Sequence, residues 1–212
     1  DLGFYIAWHN DTGEDMDSVY MTLALPYLPR NQNPRPLDVL PLYMDVNLTV
    51  GGTNTFDVPP GRSEKAWEFT LPVSGRLLGY GGHLHDYGLL VRLEDAETGR
   101  VIAKVNAERD KAGKVSGVSR SLPGVRGEGI KLKAGHRYRV VGVYDNPTGA
   151  LLKNGAMAHI TGIFAPDDPA RWPQIDEADP QYQRDLASLE IMGTGGGSTS
   201  EHDHGGHEHN NR

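Results

Sequence analysis

The chain contains no cysteine in its 212 residues, which excludes disulfides, thiolate metal sites and cysteine nucleophiles together. Any metal must be held by histidine, methionine, carboxylate or backbone groups. No apolar run approaches the roughly 18 residues that a membrane-spanning helix needs, so no membrane span is expected in this chain. A surplus of positive charge is also missing. The formal charge is −7, which leaves no basic stripe to neutralise phosphates, so nucleic acid is not an expected partner. There is no GxSxG, no P-loop and no HExxH, and the acidic residues are scattered through turns rather than paired in a recognisable site.

Turn chemistry is abundant instead. With 27 glycines, 14 prolines and an apolar fraction of only 37%, many short elements joined by tight turns are expected rather than long helices. Short runs rich in β-branched and aromatic residues predict strands near Phe4–His9, Val19–Leu25, Met44–Val50, Trp67–Leu71, Leu77–His85, Leu89–Leu93, Val101–Asn106, Ile130–Leu132, Tyr138–Tyr144 and Ala156–Phe164. Val46, Leu48 and Val50 alternate with Asp45, Asn47 and Thr49, the period of a strand with one wet face. Asn10-Asp11-Thr12-Gly13, Pro59-Pro60-Gly61, Glu97-Thr98-Gly99 and Lys133-Ala134-Gly135 supply turns between such runs. The fold expected is therefore all-β: an antiparallel, jelly-roll-like sandwich over residues 1–166.

Beyond the sandwich, residues 167–192 form an extension in which Asp176–Met192 predicts a short helix, with Tyr182, Leu186 and Leu189 on one face. Residues 193–212 carry no apolar anchor and are expected to be a flexible Gly/Ser linker followed by a His-rich tail. In that tail His202, His204, His207 and His209 are interleaved with Asp203 and Glu208. Such a tract can wrap Cu(II), Zn(II) or Ni(II) with little geometric selection; the competing reading is a tag fragment or a generic polar tail. The abrupt, strand-like opening at Asp1-Leu2-Gly3-Phe4-Tyr5 is what a removed leader or anchor would leave.

Two segments carry chemistry. In Gly81-Gly82-His83-Leu84-His85-Asp86-Tyr87-Gly88 the histidines are two apart, so on a strand both imidazoles share a face and can reach one metal. In Gly155-Ala156-Met157-Ala158-His159 the same spacing pairs a thioether with an imidazole. Thioethers serve zinc, magnesium and calcium poorly but suit copper, Cu(I) above all, so Met157 points the set His83, His85, Met157 and His159 towards copper. The alternatives are polar residues on a wet sheet face for the histidine pair, core packing for Met157, and a role behind the ligands for His159. Tyr87, Asp86 and His9 are the candidates to orient a ligand imidazole, with Tyr87 expected on the ligand face; His136, in a turn, is expected to be exposed.

From Trp8-His9-Asn10 through Val58-Pro59-Pro60-Gly61, then Gly79–Gly88 and Tyr144–Ala165, the chain resembles the C-terminal catalytic domain of the copper type II, ascorbate-dependent monooxygenases. These are the peptidylglycine α-hydroxylating and dopamine β-hydroxylating enzymes. The resemblance implies a sandwich whose HxH pair, here His83 and His85, and late-strand methionine, here Met157, hold the oxygen-activating copper, CuM. It also implies a second copper domain with three histidines and a set of disulfides, neither of which this sequence carries. His159 stands where the family has no ligand, and a further imidazole tends to fill the open position that oxygen activation needs. The function expected is thus extracytoplasmic copper binding, in the periplasm or secreted, for copper acquisition, storage or delivery, with a copper-delivery or redox protein as partner. The alternative is a copper-dependent monooxygenase fed by an external reductant. A third reading is a carbohydrate- or partner-binding sandwich with incidental histidines.

Overall fold

Alternating apolar residues become paired strands over most of the described chain, residues 10, 12–29, 31, 33–48 and 54–193 of a computed structural model. In order these are β1 (Leu40–Asp45), β2 (Phe56–Val58), β3 (Gly61–Thr70), β4 (Gly75–Leu84), β5 (Gly88–Asp95), β6 (Val101–Arg109), β7 (Val115–Val118), β8 (Ile130–Leu132), β9 (Arg137–Asn146), β10 (Leu152–Ala156) and β11 (Ala158–Pro166). A single helical turn, α1 (Pro123–Arg126), precedes β8, and α2 (Pro180–Gly193) follows the last strand. The strands pair antiparallel into a four-stranded sheet, β1-β11-β4-β8, a five-stranded sheet, β3-β9-β5-β6-β7, and a two-stranded ribbon, β10-β2.

The two larger sheets stack into a sandwich with one core. Met44, Val46, Leu77, Leu84, Ala158, Ile160 and Phe164 from the first pack with Val91, Leu93, Val105, Val140 and Tyr144 from the second. Each large apolar side chain removed from water there contributes about 1.5–3 kcal/mol. The layers approach closely at Gly142, where an added Cβ would stand 2.5 Å from the Ala158 Cβ. Buried Asn146 closes one end, its Nδ2 donating to Val58 O at 3.2 Å and to Ala150 O at 2.8 Å.

The outer face of the second sheet is held by an ionic lattice. Buried Glu94 accepts from Arg92 Nε at 2.5 Å and from Arg139 Nε at 2.9 Å, and Arg92 also reaches Glu64. Burial alone would raise the Glu94 carboxyl, but the hydrogen bonds and charges of the two arginines outweigh it and hold the group below the usual range. Within this lattice each arginine has a carboxylate partner.

Several expectations are corrected. Val19–Leu25 is not a strand: it is irregular, with Val19, Met21, Leu23 and Leu25 all exposed. Its alternation supplies an apolar face, but among the described residues no sheet edge pairs with it, and an unpaired extended segment is not stable alone. The strand expected at Met44–Val50 begins earlier, at Leu40, and ends at Asp45, with Pro41 tolerated because β1 is an edge strand. The late strand splits into β10 and β11 at Met157. The helix expected from Asp176 starts at Pro180, since Asp176–Asp179 makes a turn and Asp179 Oδ1 accepts Gln181 N at 2.6 Å as the cap. The strand expected at Phe4–His9, His9 itself and the His-rich tail lie outside the described residues.

Candidate metal centre

A bulge decides which way the histidines face. Along β4 the register with β11 pairs Phe164 with Leu77 but Ile163 with Gly79, leaving Leu78 as the extra residue. Leu77 is buried in the core; after the bulge Tyr80 and Leu84 take the inner positions, and Gly79, Gly81 and His83 face outward. Uninterrupted alternation from Leu77 would have sent His83 inward. Register then sets three residues in a row across the sheet: Asp45 on β1, His159 on β11 and His83 on β4. The strands bearing the two histidines can approach because position 82 is glycine; a Cβ there would lie 2.4 Å from the His159 carbonyl oxygen.

On this outer face the His83 and His159 rings stack at 5.4 Å between centroids, and His85, one residue past β4, sits edge-on to His83 at 5.0 Å. Met157, half-buried, immediately precedes β11. Burial, foremost, holds the His159 imidazole below its ordinary value, with His83 and His85 adding to the shift and Asp45 opposing it. Burial likewise lowers His83, again against Asp45. Both rings are therefore neutral at neutral pH, each with a lone pair free for a cation. Their protonation favours the unfolded chain, so the stability they contribute is fully present above the ordinary imidazole value and is lost as pH falls from there through the lowered values of the folded state.

Two tyrosines fix the segments that carry these groups. Buried Tyr144 on β9 accepts the His85 backbone N–H at 3.1 Å and donates to the Met157 carbonyl at 2.5 Å, tying the end of β4 to the start of β11. On the other side of His159, Tyr43 Oη lies 3.2 Å from Nδ1 and donates to Asp45 Oδ2 at 2.7 Å. Asn54 Nδ2 donates to both Tyr43 Oη, at 2.9 Å, and Asp45 Oδ2, at 2.6 Å. Asp45 Oδ1 accepts the Asn47 N–H at 2.8 Å. Its side chain, fully shielded from solvent, is thus satisfied by hydrogen bonds and not by a cation.

His83, His85 and His159 are brought together, with Met157 just before the strand that carries His159. Among the described residues no three His, Asp or Glu side chains are placed so that they could hold one metal ion, so the three rings are neighbours and not a coordination shell. The candidates for orienting them are corrected. Tyr87 does not share their face: its φ of 65° breaks the strand alternation, and its ring packs on Gly113 in the turn after β6. Asp86 is engaged elsewhere, Oδ1 accepting the Val115 N–H at 2.8 Å at the start of β7. His136 is not exposed; it is partly buried with Nε2 3.0 Å from Asp95 Oδ2, and the ring stands edge-on to Tyr138. Sequence reasoning missed Tyr43, Asn54 and the role of Asp45. The one signal was parity, which had already set Asp45 on the polar face.

Beside the histidines the same sheet face forms an open apolar trough of about 510 Å³, lined by Pro41, Gly79, Gly81, Thr161, Ile163 and Leu122 among others. Gly81 and Thr161 are the next outward pair after His83 and His159. No protein-family profile and no curated protein matches the chain. Among solved structures, one titled as the infectious bursal disease virus Gx strain superimposes with a TM-score of 0.23 at 9% identity, over 80% of this chain and 52% of that one. The chain thus spans about half the length of that viral chain, and so distant a likeness carries no functional argument. Among the described residues no helix is long and apolar enough to cross a membrane.

Proposed function

We propose that this chain is an extracytoplasmic copper-binding protein that acquires, stores or delivers copper through a mononuclear site of His83, His85, Met157 and His159. The observation that carries the reading is the gathering of three imidazoles on one sheet face, two of them held neutral by burial, with a methionine immediately before the strand that bears His159. A donor set of imidazole and thioether, with no carboxylate among the four, suits copper and not the hard cations magnesium or calcium. His83 is exposed on the sheet face, so closing a shell would ask first for rotation of its side chain away from the neighbouring rings. A thiolate-free set keeps working where thiols are oxidised, which favours the periplasm or a secreted setting. The resemblance to the CuM domain supports His83, His85 and Met157, and the tail histidines fit a role in gathering the ion.

Met157→Ile tests the copper assignment, because it conserves volume while deleting sulfur. In a chain whose tail histidines are replaced, we expect one Cu(I) per molecule, and at least tenfold weaker Cu(I) binding in Met157→Ile with Cu(II) affinity nearly kept. Equal loss of both affinities together with stability would make Met157 a packing residue.

The trough favours a second reading, a copper-dependent monooxygenase with an external reductant, since it would set an apolar substrate beside the metal. That reading expects ascorbate-dependent oxygen consumption, stimulated by an apolar substrate, above the rate of free copper. Uptake no faster than free copper leaves the binding role alone.

A further inference from the structure

We propose that Tyr43, backed by Asp45 and Asn54, is a positioning residue that fixes the tautomer of His159, placing its proton on Nδ1 and leaving Nε2 as the metal-binding atom. This rests on the reading of His159 as a ligand, but its first step is a property of the metal-free protein. A phenol has one proton, and Tyr43 gives it to Asp45 Oδ2 at 2.7 Å. Its oxygen can therefore only accept from its other neighbours. Asn54 Nδ2 donates to that oxygen at 2.9 Å. The remaining contact, His159 Nδ1 at 3.2 Å, must then be a donor too, which requires the proton on Nδ1. A second, independent observation agrees: the Asp45 carboxylate oxygen lies 3.8 Å from the same nitrogen, so a proton there faces negative charge, whereas a lone pair there would face it unfavourably.

A tyrosine phenol keeps its proton at neutral pH, so it is Tyr43 that donates to Asp45 Oδ2. Asp45 is itself immobilised by the Asn47 N–H and by Asn54, so the direction of the chain of bonds is set by fixed partners. No described residue hydrogen-bonds Nε2 of His159. A ligand imidazole whose other nitrogen donates to an oxygen is held in orientation and made more basic, and loss of such a partner costs about 10–100-fold in metal affinity. Here the buried carboxylate acts through the phenol and does not touch the ring directly.

Nitrogen-15 NMR of the full metal-free chain, compared with Tyr43→Phe, reads the tautomer. His159 in the parent is expected almost wholly as the Nδ1–H form, and in Tyr43→Phe as a mixture with a substantial Nε2–H share. An Nε2–H form in the parent, or an unchanged ratio in Tyr43→Phe, overturns the proposal whatever copper does. Competition titration with Cu(I) adds the second readout: Tyr43→Phe should bind about 10–100-fold more weakly with its melting temperature nearly unchanged. A parent that shows the Nδ1–H form but binds no copper at these residues would overturn the copper reading and leave the tautomer assignment standing.

Discussion

Replacing His83 and His85 together by alanine, in a chain whose His202, His204, His207 and His209 are also replaced, should lower copper affinity by more than ~100-fold. Loss of a group that merely orients a ligand already costs about 10–100-fold, and here two ligands go at once. The fold should survive. His83 is exposed and His85 only half-buried at the mouth of a turn, and neither belongs to the core. Substitutions at such positions usually shift stability by about 0.5 kcal/mol or less, so copper binding and folding can be read separately by chelator competition and thermal melting. Tail replacement is essential because four histidines among acidic residues would mask a vacant site. A double variant that still takes up one copper with parental affinity would move the metal elsewhere on the chain.

The sandwich was legible because strand periodicity is local: Ile130–Leu132 falls on its observed strand, and Tyr138–Tyr144 lies within β9. Val19–Leu25 shows where that reasoning stops, since alternation describes a surface that could be buried and says nothing of whether another strand is there to bury it. The short β2 and β7 left no pattern long enough to read. At the site, spacing put His83 with His85, whose rings do meet edge-on, but the approach of His159 depends on the Asp45, His159 and His83 register across three strands, which is non-local.

The bulge at Leu78 was equally invisible, although it is what turns His83 outward. The misplacement of Tyr87 has a local cause: strand parity was carried three residues past the end of β4, into a turn where φ is positive. Asp45 illustrates the reverse case. Its parity was right, but a polar residue on an outward face is ordinarily solvated. Only the convergence of Tyr43, Asn54 and His159 over it makes it a buried carboxylate with a defined job.

Tyr144→Phe should separate the tether from the ligands. The ring stays, so its edge-on contact with Phe56, 5.7 Å between centroids, and its core volume are kept. What is removed is one oxygen that accepts the His85 N–H and donates to the Met157 carbonyl. Both backbone groups lose that partner in a sheltered setting, at a cost of about 1–3 kcal/mol. In a domain of this size each kcal/mol lowers the melting temperature by about 2–4 °C, so a fall of roughly 2–12 °C is expected. Copper should bind about tenfold or more weakly with stoichiometry preserved, because the ligands remain while the two segments are no longer tied. This profile differs from that of Tyr43→Phe, which should weaken copper with little effect on melting. If Tyr144→Phe melts early yet binds copper like the parent, the hydroxyl supports the sandwich alone and the site is held by the strand register. If both readouts fall together, the same oxygen that joins β4 to β11 sets how far His85 stands from Met157, and the fold and the metal site share one constraint.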